Sequence, residues 1–357
     1  MSLTRSDRLL FGAAVALIAL AGLTHYADLG SVTAFACSGL AVALLAALVG
    51  RSVEQLGDRF GAGATGVLQS ALGNLPELFI GIFALRAGLI GVVQAAIIGS
   101  ILGNALLVLG LAFLVGGLRH GVQQFSSARA RSTSVLLVLA VSALVVPSLA
   151  AYVHTPAASH EGTLSIIVSV VLLLVFALSL PAALRRAAPA QQDGGAEEVE
   201  PEPPRWPLPL ALAVLAASSL LAALVSDWFV TALEPAIETL NISQAFAGLV
   251  IVAIAGNAVE NVVGIQLAAK NRADYALSVI VNSPLQIALV LAPALVLLSH
   301  VVGGAVLTLV FSPMLVVAVA LAVITVTIAI VDGESDWLEG AALLGLYGVI
   351  AASFWWG

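Results

Sequence analysis

Two short stretches decide how this chain folds: Gly73-Asn74-Leu75-Pro76-Glu77 and Gly256-Asn257-Ala258-Val259-Glu260. They stand 183 residues apart, and the same offset carries Gly81 onto Gly264, Ile97 onto Ile280, Ser100 onto Ser283 and Leu102 onto Leu285 without a gap. Each stretch lies within a long apolar run, 62–85 and 244–269. Such runs are long enough to cross the hydrocarbon of a bilayer, which takes about 20 residues of helix. One architectural unit therefore occurs twice, and each copy carries an Asn and a Glu at membrane depth.

The composition of the whole chain agrees. Of 357 residues 61% are hydrophobic and only 9% charged, against about 25% charged in a soluble domain. With a mean hydropathy of +1.11, the chain cannot cover a soluble surface with charge. It reads as an all-α polytopic membrane protein whose first partner is the lipid bilayer. Thirteen basic residues against twenty acidic ones give a net charge of −7. No basic stripe exists to neutralise phosphates, so nucleic acid is excluded as a partner. Cys37 is the single cysteine, which rules out an intrachain disulfide and a thiolate metal cluster.

Eleven apolar runs are predicted to span: 9–23, 31–49, 62–85, 89–117, 132–151, 162–184, 207–226, 244–269, 274–299, 304–331 and 337–356. The first is short and follows Arg5 and Arg8, as a signal peptide would. No small-x-small cleavage site follows Leu23, so it reads as a retained helix. With the N-terminus inside, Arg5, Arg8, Arg51, Arg59, Arg119, Arg129, Arg131, Arg185, Arg186, Arg205, Lys270 and Arg272 fall on the cytoplasmic side and only Arg86 outside. That asymmetry predicts an N-in, C-out topology.

The polar stretch 185–206 is rich in Glu, Pro and Gly and reads as a solvated cytoplasmic tether. It divides the chain into an extra N-terminal helix (1–30), a first repeat (31–184), the acidic linker (185–206) and a second repeat (207–357). Five helices in each repeat force the two copies to enter the membrane in opposite senses. Inverted repeats of this kind place a substrate site at the midplane between them.

Of twenty acids, only Glu77 and Glu260 lie deep within predicted spans. Intramembrane carboxylates are costly and mark function. Asn at i and Glu at i+3 share a helix face, so Asn74 with Glu77 and Asn257 with Glu260 each present an amide beside a carboxylate. Ser100 and Asn104 in one repeat, and Ser283 and Gln286 in the other, add oxygen donors. Pro76 lacks an N–H and frees the carbonyl of Leu72, a further candidate ligand. Two carboxylates among neutral oxygens suit a hard cation such as Ca2+, and the same pair can take up protons instead. All five histidines fall at span ends or in loops. Asp336 and Glu339 have the spacing of a helix-capping box, which leaves Glu339 out of the site. Asp227, Glu234 and Glu238 read as a solvated external acidic loop.

These regions resemble the alpha-repeats of the cation/Ca2+ exchanger superfamily, in particular its Ca2+/H+ antiporter branch. The segments that carry the resemblance are GNLPELFIGIFALRAGLIGVVQAAIIGSILGNALLVLG (73–110) and FAGLVIVAIAGNAVENVVGIQLAAKNRADYALSVIVNSPLQIAL (246–289). DWFVTALEPAIE (227–238) and SDWLEGAALLGLY (335–347) extend it over essentially the whole chain. The resemblance implies ten core helices in two inverted repeats, Glu77 and Glu260 at the cation site, and two long helices, spans 2 and 7, that slide to alternate access. The chain departs from the branch at Leu75-Pro76, Asn261, Asn282 and Pro284, which marks a divergent subgroup.

Ca2+/H+ exchange is thus the leading expectation, with no cofactor beyond the transported ions. Na+ as counter-ion or another cation as substrate is the alternative; a channel or an intramembrane enzyme ranks lower, since no histidine or paired aspartate lies at depth. A low-lysine, high-alanine composition points to a bacterial plasma (inner) membrane, and self-association as a homo-oligomer stays open.

Overall fold

A computed structural model describes residues 4–60, 72–186 and 205–356; the side chains at 57, 58, 60, 181–186 and 258–261 lie outside the described residues. The described chain is helical almost throughout. α1 (Arg5–Tyr26) and α2 (Ser31–Phe60) are followed by α3 (Leu75–Arg86), α4 (Ile90–His120), α5 (Ser127–Tyr152) and α6 (Glu161–Arg186). The second half holds α7 (Leu208–Leu240), α8 (Gln244–Gly256), α9 (Ala258–Ala269), α10 (Ala273–Val302), α11 (Pro313–Ile330) and α12 (Trp337–Ser353). Eight of these, α1, α2, α4, α5, α6, α7, α10 and α11, are long and apolar enough to cross a membrane.

Local chemistry sets the ends. Thr4 and Asp7 close a capping box at the start of α1, and Ser126 and Ser312 cap α5 and α11 through their hydroxyls. Asp336 and Glu339 form the capping box expected at α12, each side chain accepting from the other residue's backbone N–H. Two short strands, β1 (Gln123–Gln124) and β2 (Glu334–Ser335), pair antiparallel and join the α4–α5 and α11–α12 connections. The histidines sit in last helical turns (His25, His120, His300) or in the α5–α6 connection (His154, His160).

The 183-residue offset is visible in the helices. α3 and α9 are both 12 residues long and begin at Leu75 and Ala258; α4 and α10 begin at Ile90 and Ala273. Both of the latter are interrupted by a π-helical turn, Gly103–Val108 in α4 and Ile287–Leu291 in α10. Such turns often accompany functional sites.

Three sequence-based expectations are corrected. The run 304–331 is not one helix: Gly303 and Gly304 take φ of +78° and +94°, and α11 begins only at Pro313. The intervening chain is not helical, and its alternate residues Leu307, Leu309 and Phe311 are at most 1% exposed. Its backbone is satisfied by side chains. Ser299, Ser165 and Ser148 accept from the N–H groups of Leu307, Leu309 and Phe311 at 3.0, 2.9 and 2.9 Å. Gln94 donates to the carbonyls of Thr308 and Val310 at 3.1 and 2.9 Å. Non-helical backbone survives in an apolar setting only with such partners. Second, Asp227, Glu234 and Glu238 are not in a loop, because α7 runs on to Leu240 past an internal Pro235. Third, the run 31–49 continues as helix to Phe60. Of the run 62–85, residues 61–71 lie outside the described residues, as do 187–204 of the acidic linker.

A candidate cation site at two helix breaks

Both Gly-Asn motifs lead into a helix with the same backbone geometry. Asn74 precedes α3 with φ, ψ of −93°, 18°, and Asn257 separates α8 from α9 with −94°, 19°. Pro76 therefore occupies the first turn of α3, where its missing N–H costs nothing. The break falls ahead of it, at Gly73–Asn74, and not as a kink inside a continuous helix. Glu77 stands in the first turn of α3, and Glu260 occupies the same position in α9 by its backbone; the Glu260 side chain lies outside the described residues.

The crossing of α4 with α8 brings the halves together. A Cβ on Gly99 would lie 2.6 Å from the carbonyl carbon of Leu249, and one on Gly248 would lie 2.5 Å from the carbonyl oxygen of Val92. The two backbones touch because neither residue has a side chain. This contact sets Ser100 and Asn104 of α4 beside Asn257. The Asn257 amide donates to Ser100 Oγ and to the Ala253 carbonyl, both at 2.9 Å. Its Oδ1 accepts from Asn104 Nδ2 at 2.9 Å and from Ser283 Oγ at 3.3 Å. All four hydrogen-bonding positions of the side chain are filled. Asn104 Nδ2 also donates to the Ser100 carbonyl at 3.0 Å.

Glu77 reaches this centre from the first motif. A Cβ on Gly256 would lie 2.9 Å from Glu77 Cδ and 3.1 Å from its Oε1, so the carboxylate packs on the last turn of α8 where only glycine leaves room. Asn74, Glu77, Ser100, Asn104, Asn257 and Ser283 are all at most 7% exposed. Asn74 Nδ2 and Asn104 Oδ1 have no hydrogen-bond partner among the described residues. Beside Glu77 and Ser100 opens a cavity walled by Ile80, Gly81 and Ala84 of α3, Val92, Val93, Ala96 and Ile97 of α4, Val252 of α8, and Leu291 and Leu295 of α10. Glu77, Ile80, Gly81 and Ala84 follow the i, i+3, i+4, i+7 spacing of one helix face.

Of the nine residues singled out from sequence, the structure thus gathers Glu77, Ser100, Asn104, Asn257 and Ser283. Asn74 is buried at the matching break. Leu72 and Gln286 are half-buried, and neither enters the hydrogen bonds of the Asn257 cluster. Gly256 is the residue that sequence reading missed in function: its lack of a side chain admits the carboxylate. Its identity with Gly73 was the available signal. The gathered donors are oxygen and amide groups, the set that suits a hard cation.

A helical membrane protein whose interior polar centre lies where discontinuous helices meet belongs, by its architecture, among secondary transporters. The comparison with known proteins gives the particular group. The chain matches the sodium/calcium exchanger protein family over residues 30–184 and 210–356, and it belongs to that family. It is 37% identical to a Ca2+/H+ antiporter of Synechocystis sp. over 345 residues, covering 92% of each chain. It is 36% identical to the Ca2+/H+ antiporter ChaA of Bacillus subtilis, covering 97% of each. Among solved structures it superposes on native YfkE with a TM-score of 0.82 at 33% identity, over 97% of this chain and 99% of the other. The H+/Ca2+ exchanger CAX shares the fold, with a TM-score of 0.75 at 15% identity over 98% and 92% of the two chains. The family is one of transporters, not enzymes.

Proposed function

We propose that this chain exchanges Ca2+ for H+ across a membrane by alternating access, with Glu77 and Glu260 as the groups that hold either the cation or the protons. The observation that carries the reading is the meeting of the two motifs: Glu77 of the first lies on Gly256 of the second, and Asn257 of the second is held by Ser100 and Asn104 of the first half. The names of near-full-length relatives support the choice of ions. Asn74, Asn257, Ser100, Asn104, Ser283, Gln286 and the Leu72 carbonyl are the neutral donors assigned to the cation. Bare carboxylates close together in low dielectric are unfavourable, so the empty carrier crosses between states with its charge neutralised by protons.

In this reading the chain makes eleven spans. Two inverted five-helix repeats (31–184 and 207–357) follow the N-terminal helix (1–30) and are joined by the linker 185–206. The protein sits in a bacterial inner membrane with its N-terminus cytoplasmic and its C-terminus external. Exchange of Ca2+ for Na+ is the second reading, favoured only by the family's breadth. The test is Ca2+ uptake into proteoliposomes under an imposed pH gradient, with Na+ and K+ gradients as controls. Uptake driven by the pH gradient alone is expected. Uptake that requires Na+ would replace the proton with sodium. For topology, Gly195→Cys and Glu238→Cys in a Cys37→Ser background should label from opposite sides; labelling from one side would break the inverted-repeat layout.

A further inference from the structure

Among the described residues, basic side chains gather at two places that are built differently. In the first, the α4–α5 and α9–α10 connections are tied together. His120 Nε2 lies 3.0 Å from the Ala269 carbonyl, Gln123 donates to Asn271 at 2.9 Å, and Arg129 pairs with Asp274 at 3.4 Å. Arg119, Lys270 and Arg272 belong to this group, but acid is interleaved with it. The pairing of β1 with β2 lays the α11–α12 connection alongside, with Asp332, Glu334 and Asp336.

The second group lies where α1 and α7 begin and α2 ends. Gln55 Oε1 of α2 accepts from the backbone N–H groups of Arg205 and Trp206 at 2.8 and 3.0 Å. Arg59, a turn further along α2, donates to the Trp206 carbonyl. The buried indole of Trp206 donates to Asp7 Oδ2 at 3.4 Å, between Arg5 and Arg8 in the first turn of α1. Arg5, Arg8, Arg59 and Arg205, from three segments distant in sequence, are thereby held at one corner, and all four are exposed. The carboxylates described at this corner are already engaged. Asp7 is buried, accepts from the Thr4 N–H at 2.9 Å and pairs with Arg51 at 3.3 Å; Glu54 pairs with the same arginine at 3.2 Å. Exposed apolar surface adjoins the cations: Leu9 follows Arg8 on α1, and Leu208 and Leu212 follow Arg205 on α7. Both helices are long and apolar enough to cross a membrane. A Cβ on Gly12, one turn beyond Arg8, would meet nothing within 4 Å.

We propose that this corner is a seat for an acidic phospholipid, its phosphate on Arg5, Arg8, Arg59 and Arg205 and its acyl chains along Leu9 of α1 and Leu208 and Leu212 of α7. Guanidinium groups take phosphate oxygens in paired hydrogen bonds, and basic clusters at a membrane surface attract acidic lipid. A soluble anion would use the cations and leave the leucines bare, whereas a lipid matches both. The lipid supplies the negative charge that Asp7 and Glu54, spent on Arg51, do not. It thereby steadies the corner where the three segments meet. The proposal is independent of which ions are exchanged.

The test uses the purified full chain in neutral detergent, titrated with phosphatidylglycerol and followed by thermal unfolding and by native mass spectrometry. Phosphatidylglycerol should raise the unfolding temperature by at least about 3 °C, as a ligand of the folded state does. Phosphatidylcholine with the same chains, and glycerol phosphate without chains, should each shift it by less than about 1 °C. Arg5→Gln/Arg8→Gln should weaken phosphatidylglycerol binding at least about fivefold, the effect of losing one such cation at a membrane surface. Arg119→Gln/Lys270→Gln, in the acid-flanked group, should leave it within about twofold. Equal shifts from the two lipids, or an Arg5→Gln/Arg8→Gln protein that binds as before, would overturn the seat. A shift from glycerol phosphate equal to that from the lipid would make this a soluble-anion site and overturn the lipid. A second measurement needs no variant: a roughly tenfold rise in salt should weaken phosphatidylglycerol binding to the unaltered protein by screening the exposed cations. Binding indifferent to salt would refute a headgroup held by these arginines.

Discussion

Asn74 and Asn257 occupy the same kind of break, with backbone angles that agree to within a degree, yet their side chains live differently. Asn257 has all four hydrogen-bonding positions filled, whereas Asn74 Nδ2 has no partner among the described residues. The backbone follows what the two halves share, the Gly-Asn pair. The side-chain network follows what they do not share. Asn104, which donates to Asn257, has Ile287 as its counterpart 183 residues on, so the equivalent position of the second half carries no amide. A repeated motif thus fixes the position of a site twice but builds its support once. Asn257 is a strut as well as a candidate ligand, while the Asn74 amide nitrogen makes no hydrogen bond among the described residues.

The strongest way to break this comparison is to remove the charges that the two breaks present. Glu77→Gln and Glu260→Gln should each abolish exchange with insertion and folding intact, because each removes both a ligand charge and a proton acceptor. Wild-type flux from either variant would remove Glu77 or Glu260 from the site. Next in size is Gly256→Ala. Its new methyl would press on the Glu77 side chain, so exchange should fall by more than about tenfold, an effect that misplacement by about an ångström can have. Normal flux would mean that the carboxylate does not work from where it packs.

The two asparagines sharpen the contrast directly. Asn257→Ala leaves Ser100, Ser283 and Asn104 without their shared partner and should cost about 1–3 kcal/mol of stability for the buried groups stranded, together with weaker Ca2+ binding. Asn74→Ala breaks no hydrogen bond among the described residues, so it should weaken Ca2+ binding with a stability change under about 1 kcal/mol. Thermal unfolding in detergent with and without Ca2+ separates the two, and equal stability losses would erase the asymmetry. Ser283→Ala should show the smallest effect, about 0.5–1.5 kcal/mol, since its bond to Asn257 is the longest of the four at 3.3 Å.

Much of this was legible in the sequence, for identifiable reasons. The ungapped offset located both breaks and the serines at 100 and 283, and the Asp-x-x-Glu spacing at 336–339 announced its capping box, because such signals are local or repeat at fixed distance. What was not legible depends on partners far away in the chain. Residues 304–312 read as apolar span, since hydropathy is blind to hydroxyls such as Ser148 and Ser165 that stand in for helical hydrogen bonds more than 140 residues off. Trp206 read as the end of a tether, since its partners Gln55 and Asp7 lie 151 and 199 residues away. Asp227, Glu234 and Glu238 read as loop because charge and Pro235 mimic a helix end, whereas α7 is long enough to carry them.

The central claim is that Ca2+ and protons compete for the same pair of carboxylates. Ca2+ requires them ionised, so its binding releases protons and must weaken as pH falls through the range in which the pair takes protons up. The direct measurement is Ca2+ affinity and proton release on the purified protein, from mildly acidic to mildly alkaline pH, beside Glu77→Gln. The account predicts affinity that falls with falling pH, up to about two protons released per Ca2+ bound, and loss of both behaviours in the variant. Affinity flat across that range, with no proton released, would contradict it.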